Sequence, residues 1–261
     1  MQIFVVDAFT DTPFHGNPAG VVLLEAPADE RWMQQVAAEL KHSETAFVAR
    51  RDDGDYDLRW FTPAVEVELC GHATLATAHV LASTGQPGPF VFHTLGGVLR
   101  AERSGDGTIA MDFPAQPTGP VDAPAGLLAA LGVSATAIHG NGVDVLVEVA
   151  DAMTVRKVTP DSDALRAVDC RGVIVTARAE AGADHDFVSR FFAPRVGIDE
   201  DPVTGSAHCA LSPFWAQRLG RTSLTGVQLS ARSGRIGVEV RGDRVLLRGS
   251  ATTVLAGSLV V

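Results

Sequence analysis

Short stretches in which apolar and polar positions alternate, or in which β-branched and aromatic residues cluster, recur along this chain and predict strands. They fall at residues 3–9, 20–24, 44–49 and 56–61, the last alternating through Tyr56, Leu58 and Trp60. Residues 31–40 repeat apolar side chains at Trp32, Val36 and Leu40, which is helical spacing. Residues 73–83 are apolar on nearly every side, so the spacing predicts a buried central helix. Strands are expected at 90–94, 97–102 and 108–113, and the Pro-, Gly- and Thr-rich stretch 114–124 is the expected crossing to a second lobe. The second half follows with a helix at 127–131, strands at 137–139 and 143–149, and a helix at 162–167. Strands at 172–177 and 186–192, a helix at 206–219, and strands at 227–229, 235–241, 244–250 and 255–261 complete it. Pro213 lacks an N–H, so it is expected to kink the 206–219 helix or to delay its start.

The two halves resemble each other. Asp55-Tyr56-Asp57-Leu58-Arg59-Trp60-Phe61-Thr62-Pro63 is echoed by Asp186-Phe187-Val188-Ser189-Arg190-Phe191-Phe192-Ala193-Pro194. Each segment is followed by a small-residue turn before an Ala-rich run, Cys70-Gly71-His72-Ala73 and Thr204-Gly205-Ser206-Ala207. Each half then has a Gly-Asp hairpin turn, Gly105-Asp106 and Gly242-Asp243. Three landmarks in one order predict two lobes of like fold, 1–115 and 116–252, with the final strand 253–261 able to pack back on the first. Paired lobes are expected to leave a cleft, where small-molecule sites concentrate.

Composition narrows the class of function. With 261 residues and 46% hydrophobic residues the chain can fill a full core. A net charge of −10 and no Lys/Arg cluster speak against a nucleic-acid partner. No apolar run is long enough to span a bilayer, and the start Met1-Gln2-Ile3-Phe4-Val5-Val6-Asp7 reads as a first strand rather than a signal peptide. Cys70, Cys170 and Cys209 form no C-x-x-C pair, which argues against a zinc ribbon or a disulfide scaffold and makes a reducing cytoplasm the default.

Candidate chemistry gathers at the repeated turns. Gly71 and Gly205 let a ligand approach a helix N-terminus, whose N–H groups attract an anion; equally, they make tight strand-to-helix turns. His72 follows one turn, and Asp201 and Ser206 flank the other; each reads either as a proton-handling group or as structural, His72 as a lone packed histidine, Asp201 as a turn residue before Pro202 and Ser206 as a helix cap. Glu44 opens the apolar stretch Ser43-Glu44-Thr45-Ala46-Phe47-Val48, where lost hydration would raise its pKa towards that of a general acid–base; an exposed strand-end Glu is the plain alternative. The equivalent Val173-Ile174-Val175-Thr176-Ala177 has no acid, which does not fit a symmetric two-base machine. His79 and His208, inside apolar helices, read as packed or hydrogen-bonded histidines. His15-Gly16-Asn17-Pro18-Ala19-Gly20 is either a substrate-contacting loop or a turn. H-E-x-x-H and G-x-S-x-G are absent.

At these residues the chain resembles the PhzF family of phenazine-biosynthesis isomerases, within the diaminopimelate-epimerase-like fold. The matching stretches are Val6-Asp7-Ala8-Phe9-Thr10, Gly16-Asn17-Pro18-Ala19-Gly20, Ser43–Val48, Arg59–Pro63, Cys70–Thr74 and Asp201–Ala207. The resemblance implies an α/β (α+β) protein of two pseudo-symmetric lobes, each a mostly antiparallel sheet wrapped around a central helix, acting as a homodimer on a small anionic substrate, with no cofactor, no metal, no nucleic acid and no membrane. It implies Glu44 as the acid–base, His72, Asp201 and Ser206 as positioning and proton-handling groups, and Gly16, Asn17, Cys70, Gly71, Thr204 and Gly205 around the substrate. Racemases of the wider fold carry a Cys at each turn, whereas here Cys70 occupies the first turn and Thr204 stands at the second. The implied reaction is therefore a single-Glu proton shift on an amino-acid-like or dihydro-hydroxyanthranilate-like substrate. The alternatives are a PLP-independent racemase or epimerase, and a non-catalytic small-ligand-binding protein.

Overall fold

The computed structural model describes residues 1–261. Two compact units divide the chain: Met1–Phe113 with Leu246–Val261, and Pro114–Val245. The return to the first unit thus begins at Leu246, earlier than residue 253.

In the first unit the elements are β1 (Gln2–Ala8), β2 (Asn17–Leu24), α1 (Glu30–Leu40), β3 (Glu44–Arg50), β4 (Tyr56–Phe61), β5 (Glu66–Val67), α2 (Gly71–Ser83), β6 (Phe90–Thr94), β7 (Gly97–Arg103) and β8 (Ile109–Pro114). β1 pairs antiparallel with β2, β2 parallel with β3, β3 antiparallel with β4, β4 parallel with β6 and β6 antiparallel with β7. α2 packs against β1, β2, β3 and β7. Every side chain from His72 to Ala78 is buried, as all-round apolarity demands. Its two internal threonines avoid an orphan hydroxyl by donating to the carbonyl four residues back, Thr74 to Cys70 at 2.6 Å and Thr77 to Ala73 at 2.7 Å. α1 covers another part of the unit with Met33, Val36 and Ala37 packed among Ile3, Val22, Phe47 and Phe61. It starts at Asp29, whose carboxylate accepts the Trp32 N–H, and ends at Lys41 in the left-handed region.

The second unit runs through β9 (Gly119–Pro120), α3 (Leu127–Leu131), β10 (Ala137–Gly140), β11 (Asp144–Glu148), α4 (Ala152–Lys157), α5 (Ser162–Arg166), β12 (Gly172–Arg178), β13 (Phe187–Ala193), a 3-10 turn at Pro194–Val196, β14 (Ile198–Asp201), α6 (Gly205–Leu219), β15 (Ser223–Gln228) and β16 (Gly234–Arg241). β17 (Arg244–Gly249) spans the boundary, and β18 (Ala251–Ser258), in the first unit, pairs antiparallel with β1. The pairing order β10, β11, β12, β13, β15, β16 repeats the first unit's pattern of antiparallel, parallel, antiparallel, parallel and antiparallel. The internal repeat of the sequence is therefore a repeat of topology. Register fixes the equivalences: Thr45 faces Phe61 and Val173 faces Phe192, so Glu44 corresponds to Gly172.

α6 begins at Gly205 and continues through Pro213 to Leu219, so the expected late start does not occur. The missing N–H of Pro213 leaves the carbonyl of Cys209 without its helical donor, and the Gln116 N–H supplies one at 3.0 Å. The irregular segment between β8 and β9 thus satisfies the group that proline orphans. No helix is long and apolar enough to cross a membrane.

The repeated Arg-aromatic-Phe segments have a common structural task. Arg59 grips Glu66 through two bonds of 2.6 Å and lies 5.2 Å from the Phe61 ring. Arg190 grips Glu200 at 2.7 and 2.8 Å and lies 4.9 Å from the Phe192 ring. Each glutamate stands five residues before the glycine that starts α2 or α6. The clamp therefore ties the strand to the short segment leading into each central helix, and a planar guanidinium suits that bidentate, stacked geometry better than an ammonium.

Candidate active site

Neither central helix has a side-chain cap. Cys70 and Thr204 occupy the N-cap positions of α2 and α6 in extended conformation, and neither side chain bonds back to the helix. Each first turn therefore presents its backbone N–H groups and the positive end of the helix dipole to whatever lies in front.

In the first unit, β3 and α2 bring three chemically distinct side chains together. Glu44 lies at the first residue of β3 and His72 at the second of α2; Glu44 Oε2 is 3.2 Å from His72 Nε2. The Glu44 side chain is 13% exposed and that of His72 6%, so the pair is shielded but the carboxylate retains access. Cys70 Sγ lies 3.5 Å from His72 Nδ1, and Asn17 Nδ2 lies 3.2 Å from the same nitrogen. Burial draws the His72 pKa down to about 3, with a smaller push from the charge of His42. The ring is therefore neutral near pH 7. With Asn17 donating its N–H to Nδ1, the ring proton belongs on Nε2, where it donates to the Glu44 carboxylate. His72 thus holds the carboxylate in place without sharing a positive charge with it.

Asn17 belongs to this cluster, fully buried at the start of β2. Gly16 has a backbone role: its φ is +65°, and a Cβ there would stand 2.2 Å from the Ala8 carbonyl oxygen. His79 and His208 are hydrogen-bonded within their units, His79 Nε2 at 3.1 Å from Thr253 Oγ1 and His208 Nδ1 at 2.8 Å from the Thr204 carbonyl.

In the second unit, Thr204 donates its hydroxyl to Asp201 Oδ2 at 2.5 Å. Gln228 ties the loop down by accepting the Thr204 N–H at 3.0 Å and donating to the Asp201 carbonyl at 2.7 Å. Ser206, expected as a cap, lies one residue inside the helix, at the position equivalent to His72, and its Oγ accepts from Arg171 at 3.3 Å. Arg171 is in turn gripped by the buried Asp144, through an Nε–Oδ1 bond of 2.9 Å and a second bond between Nη2 and Oδ2. Burial works against the Arg171 charge, yet the bond to Asp144 and the charges of Asp144 and Asp201 hold its pKa above the ordinary value. Gln228, Arg171 and Asp144 carried no signal in the sequence reading. They are 24 or more residues from the groups they hold, and only the strand register brings them close.

The pseudo-symmetry makes the two constellations unlike where it counts. Position 172, equivalent to Glu44, is glycine, and a Cβ there would stand 2.3 Å from the Phe191 ring. The nearest acid is Asp144, its register partner on β11, already neutralised by Arg171. The first unit has a carboxylate held by a neutral ring; the second has a carboxylate locked to a cation.

Residues 6–257 match the model of the phenazine biosynthesis-like protein family, PhzC-PhzF. The chain is 51% identical over 261 residues to an uncharacterized isomerase of Pseudomonas aeruginosa, covering 99% of this chain and 98% of that protein. It is 40% identical over 285 residues to a human phenazine biosynthesis-like domain-containing protein, covering 99% of each. Among solved structures, a PhzF family protein of Enterococcus faecalis superposes with a TM-score of 0.95 at 40% identity, covering 100% of this chain and 99% of that one. A probable proline racemase from Agrobacterium radiobacter shares the fold at a TM-score of 0.64 and 13% identity, with 100% and 93% covered.

Proposed function

The chain belongs to the phenazine biosynthesis-like (PhzF) family of isomerases, and from that premise we propose that it moves a proton between two carbons of a small amino-acid-like acid, with Glu44 as the sole acid–base. The observation that carries this reading is the asymmetry of the two constellations. Glu44 sits at the start of β3 with a neutral His72 donating to it, whereas its counterpart is Gly172 beside an ion-paired Asp144. One proton carrier suits a reaction that removes and returns a proton on one face of a substrate.

In this mechanism His72 fixes the rotamer of Glu44 so that one carboxylate oxygen accepts a proton from an activated C–H and then returns it to another carbon of the same molecule. Within the first unit, the first-turn amides at Gly71 hold the substrate's carboxyl group; in the second, the first-turn amides at Gly205 with Asp201 and Ser206 are the groups suited to hold a carboxyl and an amino or hydroxyl group. No cofactor is part of the scheme. Positioned acid–base catalysis is worth ~10²–10⁴-fold in rate. Glu44→Gln keeps the shape and the bond to His72 but cannot carry the proton. It is expected to lose at least ~100-fold of turnover while retaining the wild-type circular dichroism spectrum. The assay is incubation of dihydro-hydroxyanthranilate and cyclic amino acids in D2O, with deuterium uptake and isomer identity read by mass spectrometry and chromatography. Wild-type-like exchange by Glu44→Gln would remove the assignment. A racemase using Cys70 would instead show deuterium at the α-carbon with inversion, abolished in Cys70→Ser. The equivalent N-cap position of the second unit, Thr204, is a hydroxyl donating to Asp201, which disfavours a two-thiol scheme.

A further inference from the structure

The two units repeat one topology but do not fill its outer face alike. Between β11 and β12 the chain makes two helices, α4 and α5; between β2 and β3 it makes only α1. Residues 25–29 cross without a helix, and Pro27 and Ala28 there edge a cavity of about 300 Å3. Its other walls include Leu24, Phe47, Asp57, Arg59 and Leu95.

Register gives the wall residues their counterparts. Arg59 corresponds to Arg190, Asp57 to Val188, Leu24 to Val149 and Leu95 to Leu229. In the second unit that surface is closed. Val149 and Val188 are buried in one cluster with Ala152, Val155 and Val158 of the α4 segment, and Leu229 packs against it. Arg190 Nη1 donates to the Val158 carbonyl at 2.6 Å, with the carbonyls of Arg156 and Val155 at 3.4 and 3.5 Å. In the first unit the same surface is open. Leu95 is 64% exposed, an acid stands in place of Val188, and Arg59 Nη1 has no hydrogen-bond partner, since Nε and Nη2 serve Glu66 and Glu30.

We propose that this cavity binds a small neutral amide with a branched aliphatic side chain, which takes the place that α4 fills in the second unit. The site is separate from the Glu44 constellation and does not rest on the acid–base reading. Four properties set the ligand class. The walls from Leu24, Phe47 and Leu95 call for an apolar body. Arg59 Nη1 calls for a carbonyl acceptor, and Asp57, bonded to Arg51 through Oδ1 alone, leaves Oδ2 for a ligand N–H. The two residues alternate along β4 and so share a face, about 7 Å apart. Neutrality follows from the charges already matched: Arg59 by Glu66 and Glu30, Asp57 by Arg51 at 2.7 Å. An anion would meet those carboxylates with no unmatched cation to hold it. At about 30 Å3 per heavy atom the space takes about ten non-hydrogen atoms, the scale of a metabolite and not of a protein interface.

The test titrates the full-length protein, carrying 13C-labelled Leu and Met methyl groups, with N-acetyl-L-valinamide, which is about this size. The expected result is saturable methyl shifts at Met33, Leu58 and Leu95 with a Kd of about 1–10 mM, while Leu229 stays still. N-acetyl-L-valine, the corresponding acid, should bind at least about fivefold more weakly. Arg59→Lys, which keeps a charge but not Nη1, should weaken amide binding at least about threefold. Ala28→Leu fills the cavity and should abolish the shifts; circular dichroism establishes that each variant is folded, and Ala49→Val replaces Ala28→Leu if that variant is not. Absence of saturable shifts up to about 50 mM, equal shifts at Leu229, or shifts that persist in the filled variant overturn the site. If the acid binds as tightly as the amide, the neutral class is refuted, and unchanged affinity in Arg59→Lys removes the guanidinium as the donor.

Discussion

His208 provides a measurement of how strongly the second unit resists acid. Its ring is fully buried in α6, with Nδ1 bonded to the Thr204 carbonyl and Nε2 without a hydrogen-bond partner. Burial pulls its pKa from 6.5 to about 4, with the Thr204 bond opposing. The unfolded chain therefore binds the proton first. The stability this histidine leaves intact above pH 6.5 is lost as the pH falls towards 4, and below that the folded ring protonates too and the loss stops growing. Between pH 7 and pH 5 the unfolded imidazole takes up nearly one proton while the folded one stays neutral. Integrated over that interval, the loss is about 2 kcal/mol. His208→Gln removes the ionisation and leaves every other titrating group in place. Urea unfolding followed by fluorescence, where Trp215 stacks on Phe187 beside His208, should show the pH 7-to-5 loss shrinking by about 2 kcal/mol in the variant, roughly 1 M in midpoint. Superimposable pH dependences for wild type and variant would refute a neutral, inaccessible His208. His72, with its pKa drawn down to about 3, imposes a similar slope on the first unit.

Three further outcomes follow from particular contacts. Arg190→Lys keeps the charge but loses the bidentate grip on Glu200 and the 2.6 Å bond to the Val158 carbonyl; a loss of about 2 kcal/mol by urea unfolding is expected, and a neutral effect would show that the clamp is ornamental. Gly172→Ala drives a methyl into Phe191 and should cost about 1–3 kcal/mol, mostly restored by adding Phe191→Leu; additive effects in that double-mutant cycle would show that the ring is not the obstacle. Burial pushes the Cys209 thiol up to about 12, so iodoacetamide at pH 8 should label it at least ~100-fold more slowly in the native protein than in urea, as read by peptide mass spectrometry; equal rates would contradict its inertness.

The repeat was legible because the Arg-aromatic-Phe pattern is imposed by packing on strands with the same neighbours. Its other half, Glu66 and Glu200, was not. The separation from arginine to glutamate is seven residues in one unit and ten in the other, because the 3-10 turn at Pro194–Val196 and β14 lengthen the second connection. β5 and β14 escaped notice for a related reason: strands of two and four residues carry no period. α4 was readable only from its cap, Asp151, which accepts the Thr154 N–H. At the candidate site, Glu44 was recognisable because a charged residue opens an apolar run, and Cys70 and His72 because they flank the glycine of a turn that recurs in the second half. The Asn17–His72 contact spans 55 positions and the Arg171–Asp144 grip 27. The first is set by the packing of α2 on β2 and the second by parallel pairing of β11 with β12, which local pattern does not encode.

The aromatic ring of Phe191 over Gly172 bears on how this chain can change. Duplicated halves begin as equals, and a lineage seeking a mirror-image pair of proton carriers would need a second acid where the glycine now stands. No lone substitution opens that road: a side chain at 172 collides until the phenylalanine shrinks, and shrinking the phenylalanine first hollows out the interior. One bulky hydrocarbon thus acts as a ratchet, keeping the descendants of this duplication lopsided.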